Sequence, residues 1–170
     1  MALESLQDLF VDELKDVYNA EQQILKALPK MVKNASSPEL SRAFETHRKQ
    51  TEGQVARLDT IFEELGVSPG RKKCKGMEGL LAEGAEILEK EGEEAVIDAA
   101  LISAAQRVEH YEIAAYGCLR TYAALLGHSD AATLLGQTLK EEEATDEILS
   151  KLAEGGVNEA ALSASESDEE

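Results

Sequence analysis

The chain contains no tryptophan, and only three phenylalanines and four tyrosines among 170 residues, so its interior has to be aliphatic. Proline occurs three times, too seldom to break up long helices. The two cysteines, Cys74 and Cys118, lack the paired spacing of a thiolate metal site. They are read as free thiols, Cys74 in a loop and Cys118 packed in a helix, with no redox role. Basic residues number 17 against 34 acidic ones, a formal net charge of −17. That balance argues against DNA, RNA or an anionic membrane surface as partner, because each is held by lysine and arginine on phosphate. No apolar run has the length of a membrane span or the pattern of a secretory signal, so a cytoplasmic location is the expectation.

What remains is rich in alanine, leucine, glutamate and lysine, the composition of long helices, in a length that suits one domain. Apolar residues recur at three- and four-residue steps and predict helices over 2–33, 38–65, 94–126 and 129–153. The first stripe runs Leu6, Phe10, Val17, Ile24, Leu28, Met31, and Pro29 is expected to bend its last turns or end it early. Ser36, Ser37 and Pro38 open the second helix and Gly66 closes it. The basic run Arg71, Lys72, Lys73, Lys75 reads as a solvated loop, and 77–90 as a short helix rich in glycine. Ser129 is the expected cap of the last long helix. Residues 155–170, closing in Ser-Glu-Ser-Asp-Glu-Glu, read as an acidic, disordered tail. Four long helices with one long connection in the middle, carrying a short fifth helix, predict an all-α, ferritin-like four-helix bundle.

The informative residues are those that are polar where the stripe demands an apolar side chain, since a buried polar group costs free energy unless it is paired or bound to metal. Glu21 falls between Val17 and Ile24, with Tyr18 beside it. The second stripe reads Leu40, Phe44, His47, Thr51, Gln54, Leu58, with three successive polar positions. Glu112 shares a face with Val108, Ala115 and Leu119, and Glu109 borders that face. Glu142 and Asp146 interrupt the leucines of the last helix, while Glu141 and Glu143 are assigned to solvent. No lysine or arginine occupies a matching seam position. Carboxylates gathered from several helices repel one another unless protonated or neutralised by a cation. Two readings follow. One is a metal site whose oxygen-rich, one-imidazole donor set favours iron or manganese over thiolate-type zinc. The other is a metal-free polar network in which partly protonated glutamates bond to His47, Gln54 and Tyr111.

Tyr-Asn-Ala-Glu-Gln-Gln at 18–23, His47 with Thr51-Glu-Gly-Gln54, Glu109-His-Tyr-Glu112-Ile-Ala-Ala-Tyr116 and Glu141-Glu-Glu-Ala-Thr-Asp146 together resemble the YciE/YciF family, the DUF892 domain, of the ferritin-like superfamily. The resemblance spans nearly the whole chain before the tail. It implies a rubrerythrin-like bundle of about five helices, commonly a homodimer, linked with bacterial stress responses, and it supplies no reaction. Ferritin-like di-iron proteins take one glutamate from each of two helices and a Glu-x-x-His pair from each of the other two. By position, Glu21 and Glu112 match the single-glutamate roles. Thr51 and Gln54 stand where a glutamate and a histidine are expected, and the last helix has no histidine. An altered dinuclear set of Glu21, His47, Glu109, Glu112, Glu142 and Asp146 is therefore expected, with Tyr18, Thr51, Gln54 and Tyr111 around it and peroxide or dioxygen as the small oxidant. Tyr116, His110 and His128 are assigned to a dimer face or to helix capping. The competing expectation is a non-catalytic dimeric bundle acting through protein contacts, and an iron-storage subunit has the least support.

Overall fold

The computed structural model describes residues 3–164. It contains α1 (Leu6–Asn34), α2 (Pro38–Leu65), α3 (Lys75–Leu88), α4 (Glu94–Leu125), α5 (Ser129–Leu152) and a short α6 (Asn158–Ala164), with no strand among the described residues. The helix ends are chemically specified. Ser5 accepts a hydrogen bond from the Asp8 amide at 3.1 Å at the start of α1. Ser37 caps α2, Pro38 fills its first turn, and Gly66 ends it at φ 65°, where a side chain would be strained. Pro29 does not end α1, which runs on to Asn34. At the α4–α5 turn Gly127 takes φ 80°, and His128 rather than Ser129 holds the cap position of α5.

α1 and α2 form one hairpin, α4 and α5 another, and residues 66–93 carry the chain between them, with α3 packed on α1 and α4. This is the connectivity of a ferritin-like four-helix bundle. Its core is divided. One apolar cluster gathers Phe10, Leu14, Leu58, Ile61, Leu119 and Leu135, and the other Ile24, Leu28, Leu40, Phe44, Leu101 and Leu149. In α1, α2 and α5 the polar seam residues fall between members of the two clusters, and in α4 they fall between Val108 and Tyr116. The interruptions therefore form one layer across the bundle.

The connection is tied down by more than solvation. Lys72 of the basic run is half-buried and pairs with Asp12 of α1 at 2.5 Å. Asp98 of α4 is buried, accepting from the Ser36 amide at 2.9 Å, the Ser36 hydroxyl at 2.7 Å and the Ser37 amide at 2.7 Å. One carboxylate thus satisfies the approach to α2. Asp98→Ala is expected to lower stability by about 2 kcal/mol, read in urea unfolding, because it orphans these donors at once. A change below about 0.5 kcal/mol would show that water replaces the carboxylate.

The tail expectation fails over 158–164. After a wide turn through Ala153–Val157, kinked at Gly156 (φ 146°), the chain re-enters a helix and α6 packs against α4. Val157 lies against the second apolar cluster, and Ala161 and Ala164 are half-buried, so this segment has apolar surface to cover. The expected start of the first helix at Ala2 and the acidic end, 165–170, lie outside the described residues. Cys118 is exposed rather than packed, while Cys74 is buried as the cap of α3. Among the described residues, no helix is long and apolar enough to cross a membrane.

Candidate metal centre

The polar layer brings His47 of α2, Glu109 and Glu112 of α4 and Glu142 of α5 together, with one ligand atom from each lying within 4.8 Å of the others. All four are buried. Both Glu109 and Glu112 face inward, being three residues apart on one helix face. Glu21 of α1, fully buried, stands beside the group, and its ionisation is opposed by burial and then by the charge of Glu142.

The shell around these residues is specific. Tyr116 donates its hydroxyl to Glu21 Oε1, and Gln54 Nε2 donates to Glu142 Oε1 and, at 3.1 Å, to Glu141 Oε2. Arg57 clamps Glu141 with both guanidinium arms, at 2.8 and 2.5 Å, and reaches Thr138 Oγ1 at 3.0 Å. Thr51 returns its hydroxyl to the His47 carbonyl at 2.9 Å, so its polar atom is spent on the helix backbone.

Several donors in this layer have no protein partner: Glu21 Oε2, both nitrogens of His47, Gln54 Oε1, Glu109 Oε2, both oxygens of Glu112 and Glu142 Oε2. His47 Nε2 lies 3.3 Å from Glu109 Oε1 without the alignment of a hydrogen bond. Orphaned buried polar atoms are rare and costly, and here they converge on one place. Oxygen and nitrogen donors around one divalent ion, each at about 2.0–2.4 Å, stand at most about 4–5 Å apart, so this group fits a cation with small side-chain adjustments.

The electrostatics agree with that donor set. Burial pushes the carboxyls of Glu21, Glu109 and Glu112 well above their ordinary range, with the neighbouring glutamates adding to it. Burial also raises Glu142 to about 7, against the lowering effect of its hydrogen bonds. Burial lowers His47 to about 4, so at neutral pH its imidazole is uncharged and able to act as a ligand.

Not every expected residue joins the centre. Asp146, one turn beyond Glu142, drifts to the α4 side, where it meets His110 Nε2 at 3.3 Å and Gln106 Nε2 at 3.2 Å near the surface. Tyr111 is rotated by about 100° from Glu112 along the helix and turns to α3, donating to Asp16 at 2.8 Å and lying 3.0 Å from Cys74 Sγ. Gly76 permits this, since a Cβ there would stand 2.6 Å from the Tyr111 ring. Tyr18 packs edge-on against Phe62 instead of entering the layer. Conversely, Tyr116 is fully buried in the layer rather than at a surface, a placement its four-residue step from Glu112 could have signalled. Glu141 is not free in solvent, and Arg57 supplies a cation next to the seam from outside it. His128 stacks on Phe10 and meets Gln7 at 3.0 Å.

An all-α bundle of ferritin-like connectivity with a buried carboxylate and imidazole layer defines the class. Within it, residues 5–162 match the family model described as Domain of unknown function (DUF892), and the chain belongs to that family. Protein YciF of Escherichia coli (strain K12) is 46% identical over 162 residues, covering 95% of this chain and 98% of the relative. The crystal structure of the E. coli stress protein YciF superimposes with a TM-score of 0.88 at 47% identity, over 91% of this chain and 98% of that one. YcfI of Rhodopseudomonas palustris follows at TM-score 0.84 and 41% identity, over 87% and 94% of the two chains.

Proposed function

We propose that the polar layer binds iron or manganese, and that the protein serves a stress response by bringing the bound metal into contact with a small oxidant. The first cation is held by His47, Glu109, Glu112 and Glu142, and Glu21, beside Glu112 and Glu142, makes a second position available. The observation that carries this reading is the convergence of unpartnered buried donors on one group. A redox-active cation there would supply electrons to dioxygen or peroxide. The chain's own residues do the rest. Gln54 and Tyr116 each occupy one oxygen of Glu142 and Glu21, which fixes the carboxylates and leaves the other oxygen for the metal. The Arg57–Glu141 pair braces α2 against α5 beside the layer. The stress role is taken from the E. coli relative described as a stress protein, and the homodimer from the family resemblance.

The second reading, a non-catalytic dimer with a metal-free network, draws on the same Gln54 and Tyr116 hydrogen bonds and on carboxyls raised enough to stay protonated. Elemental analysis separates the two. After anaerobic loading with ferrous or manganous ion and gel filtration, the parent is expected to retain one to two equivalents, and Glu21→Ala, His47→Ala and Glu142→Ala substantially less. A folded parent that retains none would establish the network reading instead.

A further inference from the structure

Beside the metal centre, on the α3 side, lies a small, partly open cavity of about 20 Å³, enough for one water-sized or diatomic molecule. Ile24, Leu28, Phe44, Val108 and Leu149 line it, and His47, Glu109 and Thr145 are its polar residues. Its outer wall includes Ala27, Met31 and Leu81, and these same three residues also line an open groove between α1 and α3. The cavity and the groove are therefore back to back, separated by side chains that are only half-buried. α3 is a weak cover: it carries glycines 76, 79 and 84 and buries a single side chain, Met77, completely.

We infer that this cavity is a binding pocket for a small, uncharged, apolar molecule of the dioxygen class, reached from the α1–α3 groove past Met31 and Leu81 and ending against His47 and Glu109. The inference rests on the metal reading of the centre and narrows it. Polar partners for water or hydrogen peroxide exist only where His47, Glu109 and Thr145 meet the cavity, and the rest of the wall offers them none, whereas a nonpolar diatomic loses nothing anywhere along it. Anionic oxidants are disfavoured twice, by the apolar wall and by the net charge of −17. The other apolar cluster, around Leu14, Leu58, Leu119 and Leu135, touches neither the cavity nor the groove and serves as an internal control.

The test uses metal-free full-length protein, so it does not depend on metal being bound. Methyl proton relaxation is measured by NMR under nitrogen and under dissolved dioxygen, whose paramagnetism relaxes nearby methyls. The expected result is an enhancement at Ile24, Leu28, Val108 and Leu149 about twofold or more above that at Leu14, Leu58, Leu119 and Leu135, because gas enters dry cavities and not close-packed interior. Leu81→Trp, and separately Ala27→Leu, should reduce the difference by about half or more by narrowing the entry. Equal enhancement in the two clusters of the parent overturns the inference, as does a difference that both folded variants leave intact. Failure of the parent to retain metal would sink the proposed function alone, while dioxygen enrichment in the cavity would still stand.

Discussion

Glu112→Leu is expected to raise the unfolding midpoint of the metal-free protein by about 3–10 °C while abolishing metal retention. Glu112 is buried with neither oxygen held by a neutral or cationic side chain, so in the absence of a cation its carboxyl carries the desolvation cost with only a proton shared with Glu21 to offset it. Leucine has similar volume and matches the apolar neighbours on the same face, such as Val108 and Leu119. A stability gain with loss of binding is the signature of a group kept for function at the expense of the fold. Thermal unfolding of both proteins in chelator, with elemental analysis after loading, measures it. A leucine variant less stable than its parent by more than about 1 kcal/mol would show instead that the Glu112 oxygens are already satisfied.

The second large effect is an inverted pH dependence. Most proteins lose stability as acid protonates paired carboxylates. Here the buried carboxyls have folded pKa values raised above the unfolded ones. The stability they contribute is fully present below about pH 4.5, where both states are protonated, and is lost as pH rises to and through the folded values. For Glu142, which titrates near 7, the loss between pH 4.5 and 7 is on the order of 3 kcal/mol. Glu21, Glu109 and Glu112 act in the same direction. His47 opposes them: its folded value of about 4 lies below the ordinary 6.5, so its contribution is lost as pH falls from 6.5 through 4. Four carboxyls outweigh one imidazole, and the metal-free protein is expected to have a higher midpoint near pH 5.5 than near pH 8. Loading with manganous ion should reverse that order, because the cation stabilises the ionised carboxylates and its binding releases protons. Melting curves at the two pH values, with and without manganese, decide it, and a metal-free midpoint that rises toward pH 8 would refute the protonated-carboxyl account.

Much of this was legible in the sequence because a long amphipathic helix is a repetitive signal. The stripes of Phe10 to Leu28 and Leu40 to Ile61, with Gly66 and Pro38 as punctuation, set the long helices to within a few residues at most ends. The site was legible for the same reason in negative: His47, Glu112 and Glu142 break a regular apolar register. What the register does not carry is azimuth at the edge of a stripe. Asp146 and Glu142 are one turn apart and look equivalent along the chain, yet only Glu142 enters the layer while Asp146 meets α4 near the surface. Tyr111 and Tyr116 exchanged expected roles because a helix face cannot be told from its neighbour without knowing where the other helices stand. Asp98 was invisible as a cap, since its partners Ser36 and Ser37 lie far off in sequence. α6 escaped notice because seven residues with few large apolar side chains carry no periodicity of their own, and its order comes from the α4 surface it meets.

The layout of the layer also sets how fast a bound ion can exchange. Its donors come from α2, α4 and α5, with Glu21 from α1, so no single segment or hairpin carries the complete set. Fraying of α6 or detachment of α3 leaves every donor in place. A cation held there escapes only when the long helices separate, so its dissociation rate is tied to a global opening event rather than to loop motion. The site would load and empty through the same opening, so both rates would follow that of helix separation.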